Sequence, residues 1–378
     1  MNTLRVGTAL STIVVLQILS AFGVHWYTLA HLGVGAQADA LYAGGTLPQM
    51  AVVLFVEPLG FVLLPFLSSL STADRERVGR PLLCAVAVVS AVVAVVLFLL
   101  APFVVPLLAP GLSAVTAALT VQLAQIQIVG LLGAGCGITL SCLSQAKGRF
   151  LWPALSYLTC ACVGWVLLAV GLNRWGVWLA AWTQVVMVTG PAFLLLPLLR
   201  RTAHGSLADL SPVLKELWGR MRPLVVSAFY NRTGFMVDRL IASLLAPGSI
   251  AILDLVLRVH SGIGRVLNHG VVTPIIPQMA RLAGARSWHL FDALRRERVW
   301  WMGCLSGGVV LVMGVSVFVL GRLQVVDRLT PFGAMQSGDL VTMSVVLMSC
   351  SGVVLAGGIN HILVNAFYAQ GDMTTPAK

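Results

Sequence analysis

Apolar runs fill most of this chain, and the breaks between them are short stretches bearing glycine, proline or charge. A helix that crosses a bilayer needs about 20 predominantly apolar residues. Ten segments are long enough: 8–32, 38–70, 81–108, 114–145, 151–172, 177–199, 224–246, 250–277, 300–320 and 340–369. The first is too long, and too closely followed by a second, to be a removable signal peptide. The pattern predicts an all-α polytopic membrane protein. Pro48, Pro58 and Pro65 in span two, and Pro274 and Pro277 in span eight, predict kinked helices, tolerated in membranes where the freed carbonyls face protein or water.

The longest polar connection is 200–223. Within it Leu207, Leu210, Leu214, Leu217, Trp218 and Met221 recur at helical spacing opposite Lys215, Glu216 and Arg220. That is an amphipathic helix at the inner interface, and a boundary between a first lobe (1–199, spans one to six) and a second (224–378, spans seven to ten). A shorter segment of the same kind, 287–299, follows span eight. The two sides of the boundary resemble each other: with Pro65 laid on Pro277 the offset is 212, and the hairpins 21–70 and 228–282 become equivalent parts of a tandem repeat. A six-span second lobe would need two helices more than the four before Lys378. The expectation is a second lobe that is incomplete here, by truncation or as a ten-span form.

One span interrupts its apolar pattern in an ordered way. Asp254, Arg258, Arg265 and His269 are spaced by four, seven and four, which at about 100° per residue puts them within an arc of ~60°. An intramembrane charge costs about 2.5–3.5 kcal/mol or more, so it rarely faces lipid and usually marks a substrate or ion path. Asp254 and Arg258, at i and i+4, are expected to pair, leaving Arg265 as surplus. Arg232 and Arg239 share a face of span seven, and Asp238 points elsewhere. In the first lobe, Asp39 precedes a span and is expected to cap a helix at the interface. His25, beside Trp26 and Tyr27, is expected as an interfacial anchor. Glu57, next to Pro58, is a deep carboxylate with a proton-linked or gating role.

Composition agrees with the periodicity. The 378 residues are 58% hydrophobic and 10% charged, with mean hydropathy +0.93, whereas a soluble domain carries about 25% charge. The net charge of +11 would suit nucleic acid, but its distribution speaks for topology. With the N-terminus inside, 17 of the 24 Lys and Arg fall on cytoplasmic segments, three on outer loops and four within spans. This positive-inside pattern puts both termini in the cytoplasm and adds an attraction to anionic headgroups. The seven cysteines lie in apolar contexts without metal or redox spacing and read as small buried hydrophobes. No phosphate-binding loop and no metal-ligand spacing is present, so neither an ATPase nor a metal enzyme is indicated.

Several segments carry a family resemblance: GAQADALYAGGTLPQ (35–49), LLAPG (107–111), GRFLWPA (148–154), VDRLIASLLAPGS (237–249) and above all NAFYAQGDMTTPAK (365–378). The chain resembles the MurJ/MviN lipid II flippases of the multidrug, oligosaccharidyl-lipid and polysaccharide exporter superfamily. The resemblance implies two helical lobes around a central cavity that opens alternately to the two sides of a bacterial cytoplasmic membrane. Its substrate would be an undecaprenyl-diphosphate-linked glycan precursor, lipid II or one like it, needed for peptidoglycan synthesis. Arg258 falls on a cavity arginine of the family, and Asp238 on a position associated with a cation site. The family's arginines in spans one and two correspond to Ile18, Val24 and Val53 here, and Glu57 to a commonly acidic position. The expected binding set is Arg258, Arg265, Arg239, Arg232, His269, Asp254, Glu57, Asp39 and His25. No cofactor is expected beyond a coupling cation, sodium or proton, at Asp238. The expected partners are the lipid-linked glycan and membrane lipids, with no nucleic acid, for a monomer working alone or beside cell-wall synthesis proteins. Two alternatives stand: an exopolysaccharide or O-antigen-type exporter, and a non-transporting membrane scaffold.

Overall fold

In a computed structural model, residues 3–201, 210–267, 273–323 and 336–369 are described, and among them every regular element is a helix. Among the described residues, seven helices are long and apolar enough to cross a membrane: Thr12–Leu32, Ala36–Ser69, Thr72–Leu108, Ala114–Ala146, Leu151–Leu198, Trp288–Arg322 and Gly338–Val364. The difference from ten has two causes. The 151–198 stretch holds two expected spans, folded back at Gly176 (φ 52, ψ −137). Close approaches of Gly164 to Thr183 and Met187, and of Gly190 to Cys160, mark its two arms as antiparallel. The expected spans seven and eight are helical, but each carries three charges (Arg232, Asp238 and Arg239; Asp254, Arg258 and Arg265) and is less apolar for it.

The described chain forms two compact units, Met1–Ala251 and Ile252–Lys378. In the first, α1 (Thr3–Leu32) packs on the leading arm of α8 (Leu151–Leu195), where Trp165 Nε1 donates to the Ser20 carbonyl at 3.1 Å. Span two is the least regular helix: α2 (Ala36–Gly44), α3 (Thr46–Ala51), a π-helical turn (Val52–Val56) and α4 (Glu57–Ser69). Pro58 explains the π turn, since it has no N–H for the carbonyl four residues back and its ring crowds that carbonyl. The break at Gly44–Gly45 is a packing feature. A Cβ on Gly44 would lie 3.0 Å from the Thr120 carbonyl and the Ala124 nitrogen of α6 (Ala114–Ile128), so the helices meet nearly backbone to backbone. The Leu41 carbonyl accepts from the Gly45 N–H at 3.1 Å and also from Gln127 Nε2 at 3.1 Å, which ties α6 to the break.

A single arginine holds the other end of this unit. Arg75, in the first turn of α5 (Thr72–Leu108), donates to the carbonyls of Leu67 (2.8 Å) and Leu70 (3.0 Å) after α4, and of Ala146 (2.6 Å) at the end of α7 (Gly130–Ala146). Three helix ends share one guanidinium. Arg75→Ala is expected to cost about 2–3 kcal/mol, at the low end for charge-assisted bonds because the side chain is partly exposed. The thermal midpoint in detergent should fall by several degrees, and an unchanged midpoint would refute the three-way tie.

The α9 helix (Leu210–Ser243) runs the expected interfacial segment into span seven without a break, Pro223 included. After α10 (Ser249–Leu267) and α11 (Thr273–Gly284), the second unit is built on α12 (Trp288–Arg322), which packs against α13 (Ser337–Ser349) and α14 (Ser351–Ala369). Its core gathers Met279, Phe291, Met302, Val310, Val354 and Ile362. Gly133 and Gly137 face Thr189 and Ala192, and a Cβ on Gly307 would lie 3.7 Å from Leu355 Cδ2, whereas Gly303 has nothing within 4 Å. No disulfide joins any of the seven cysteines, but only Cys142 and Cys160 are buried; Cys84, Cys162 and Cys304 are exposed. On a molecule whose outside is apolar, an apolar context does not imply burial.

Candidate functional site

The stripe of span eight lies on α10 and its exposure is graded along the helix. Asp254 is 4% exposed, Arg258 is half-buried, and Ser261 and Arg265 are exposed. The expected intrahelical pair is present, with Arg258 Nε donating to Asp254 Oδ2 at 2.5 Å. Arg265 stands two turns further on, about 10.5 Å along the axis. His269 lies outside the described residues. The result is one charged helix face, covered at its N-terminal end and open at its C-terminal end.

The N-terminus of α10 itself is capped by Asp39. Its Oδ2 accepts from the Gly248 N–H at 2.5 Å and its Oδ1 from the Ala251 N–H at 2.9 Å, and the residue is 3% exposed. The expected cap therefore exists, but it serves α10 rather than Asp39's own helix. A carboxylate against unpaired N–H groups at a helix N-terminus satisfies donors and meets the positive end of the dipole. Gly248 allows the approach with φ 98, and a Cβ there would come within 2.3 Å of Val34 Cγ1.

Two further contacts join the same region. Arg239, 3% exposed, donates from Nη1 to the Tyr42 carbonyl, which also accepts from Thr46 Oγ1 at 3.4 Å, and its guanidinium lies 4.7 Å over the Phe235 ring. The Gly111 N–H donates to Ser243 Oγ at 3.3 Å, and a Cβ on Gly111 would come within 1.9 Å of the Ser243 carbonyl oxygen. The turns after α1, after α5 and after α9 thus meet as one clasp.

The remaining expected residues are more dispersed. His25 is buried, with the Tyr42 hydroxyl donating to its carbonyl at 3.3 Å and the two rings 6.0 Å apart, so it packs inside the clasp region instead of anchoring at an interface. Glu57 is exposed rather than enclosed, because the π turn rotates it out of the α4 core face. Asp238 is exposed beside buried Arg239, and of the Arg232 side chain nothing is described. Val24 and Val53, where the resemblance sets arginines, are buried, Val24 within the core of α1, α2 and α8. Sequence reasoning missed the Tyr42–Arg239 contact. Its signal was the Gly44–Gly45 pair in the middle of an apolar span.

Helices of membrane-crossing length, with a broken second span and a charged eighth, define a polytopic membrane protein. The chain belongs to the lipid II flippase MurJ family, whose model matches residues 29–378. Among solved structures it is similar to a lipid II flippase MurJ in an inward closed conformation (TM-score 0.77, 15% identity, 98% of this chain and 77% of that one). It is similar also to an inward-facing multidrug resistance transporter of the MATE family and MOP superfamily (TM-score 0.77, 12% identity, 95% and 82%). A MATE transporter of Vibrio cholerae matches at TM-score 0.65 with 16% identity, over 98% and 84%. At these identities the structures establish the shared fold, and the family match establishes membership.

Proposed function

We propose that this chain is a flippase that moves an undecaprenyl-diphosphate-linked glycan precursor, lipid II or a close relative, from the inner to the outer leaflet of the bacterial cytoplasmic membrane. Family membership carries the lipid-linked substrate class and disfavours both the exopolysaccharide exporter and the scaffold. The observation that carries the site is the graded stripe of α10, with Arg258 half-buried and Arg265 exposed. A diphosphate offers planar arrays of acceptor oxygens that guanidinium groups match bidentately. Arg265 would meet the headgroup first and Arg258 deeper, where Asp254 holds the guanidinium oriented. Loop charge supports cytoplasmic termini and an inward-opening stripe. The lobes 1–199 and 224–378 would rock about the substrate. A sodium or proton gradient would drive the cycle through Asp238, with Glu57 as a second exposed carboxylate.

Arg258→Ala is expected to abolish rescue of a flippase-depleted cell at unchanged protein level. The same variant in proteoliposomes should lose flipping of a diphosphate-linked lipid while keeping its thermal midpoint within a few degrees. Full rescue by the variant would remove Arg258 from the substrate path.

A further inference from the structure

The helix that carries span nine begins well before the span does. α12 has 35 residues, about 52 Å at 1.5 Å per residue, against a hydrocarbon core about 30 Å thick. Its leading turns therefore stand in the headgroup layer or beyond it. Trp300 and Trp301, 65% and 54% exposed, meet edge to face at 5.7 Å and mark the level of the interface.

The end of α11, the α11–α12 turn and the leading turns of α12 carry Arg281, Arg286, Arg295, Arg296 and Arg298, and the acidic residues of the same stretch are Asp292 and Glu297. Asp292 pairs with Arg295 at 3.0 Å and Glu297 lies 4.0 Å from Arg298. Arg286 and Arg296 are exposed and make no ion pair among the described residues. The turn is a Schellman motif: Arg286 N–H donates to Ala283 and Ser287 N–H to Leu282, both at 3.0 Å. It places Arg286 in the left-handed region (φ 53), where glycine is favoured. The chain keeps a cation there against backbone preference. Beside it, α11 and α12 enclose an open groove of about 600 Å³ lined by Leu282, Leu290 and Leu294 with Gln278, Arg281 and Glu297. Positive-inside topology requires only the charge count; it does not require a groove or a strained arginine.

We infer that this elbow binds an acidic phospholipid of the leaflet it faces. The phosphate sits between Arg281, in the groove, and Arg286, in the turn joining its walls. The glycerol and first acyl carbons lie against the three leucines, and Trp301, on the groove side of α12, continues that surface toward the hydrocarbon. A cluster of four to eight basic residues directly beside a span has this chemistry, and each arginine near an anionic surface contributes roughly a 5-fold gain in affinity.

Native mass spectrometry of the whole chain, titrated with phosphatidylglycerol and separately with phosphatidylcholine, tests it. Phosphatidylglycerol should be retained in preference, weakened about 30-fold by Arg281→Gln with Arg286→Gln and about 5-fold by Arg286→Gly. The glycine variant relieves the left-handed backbone, so its thermal midpoint should hold or rise, and a loss of lipid cannot then be a loss of fold. Arg220→Gln with Arg222→Gln removes equal charge elsewhere and should change affinity less than 2-fold (on the order of the scatter for distant exposed sites). The inference is overturned by equal retention of phosphatidylcholine, by equal weakening in the Arg220/Arg222 variant, or by displacement with inorganic phosphate at the same concentration.

Discussion

Asp39→Ala is expected to abolish rescue of a flippase-depleted cell and to open the clasp at the start of α10. The substitution removes two charge-assisted hydrogen bonds, to the N–H groups of Gly248 and Ala251, and the carboxylate facing a helix N-terminus. At roughly 1.5–3 kcal/mol for each such bond, the clasped arrangement loses about 3–5 kcal/mol, so its open fraction rises about 100-fold or more. Asp39→Asn keeps the shape but only one suitable acceptor and no charge, and should fall between. The measurement is the rate at which a water-soluble maleimide labels Ser243→Cys in the detergent-purified chain whose native cysteines have been replaced. Ser243 is 4% exposed in the clasp, with its hydroxyl against the Gly111 N–H. Where opening is fast relative to labelling, the rate follows the open population. Labelling that stays slow in Asp39→Ala would show that the carboxylate does not hold the clasp.

Arg239→Met is expected to lower stability more than substrate affinity. The arginine is buried, donates to the Tyr42 carbonyl and covers the Phe235 ring. Methionine fills a similar volume but leaves that carbonyl without this donor in a dry setting. The loss is about 2–4 kcal/mol, and more than an exposed ion pair would give. Arg239→Lys keeps the charge but not the planar fork, and should recover less than half of it. Thermal unfolding in detergent, read beside binding of a diphosphate-linked lipid, separates the two roles. A large drop in affinity with an unshifted midpoint would return Arg239 to the substrate path.

The helices were legible in the sequence because a bilayer makes length and apolarity nearly sufficient. The 212 offset drawn from Pro65 and Pro277 even pairs residue 39 with residue 251, the two ends of an observed hydrogen bond. The Asp254–Arg258 pair was legible for a similar reason, since spacing along one helix fixes it. Partners distant in sequence were not. That Asp39 would cap a helix follows from its residue type and position, but which helix depends on a turn some two hundred residues away. His25 and Glu57 were misplaced for one reason. Depth along a span can be counted, whereas the direction a side chain faces depends on neighbours, and at Glu57 also on a π turn that shifts the helical phase. The exposed cysteines teach the same point from the lipid side.

The fold-back at Gly176 bears on how the protein is made. With a left-handed glycine closing the turn, spans five and six have almost no loop between them. Neither arm can be placed across the bilayer and left to wait for the other at a distance. The pair inserts as a helical hairpin with Arg174 at its tip. The long uncharged arms on either side supply the transfer free energy that offsets this one cation. Biogenesis of this half of the molecule thus depends on the combined hydrophobicity of two helices rather than on either alone.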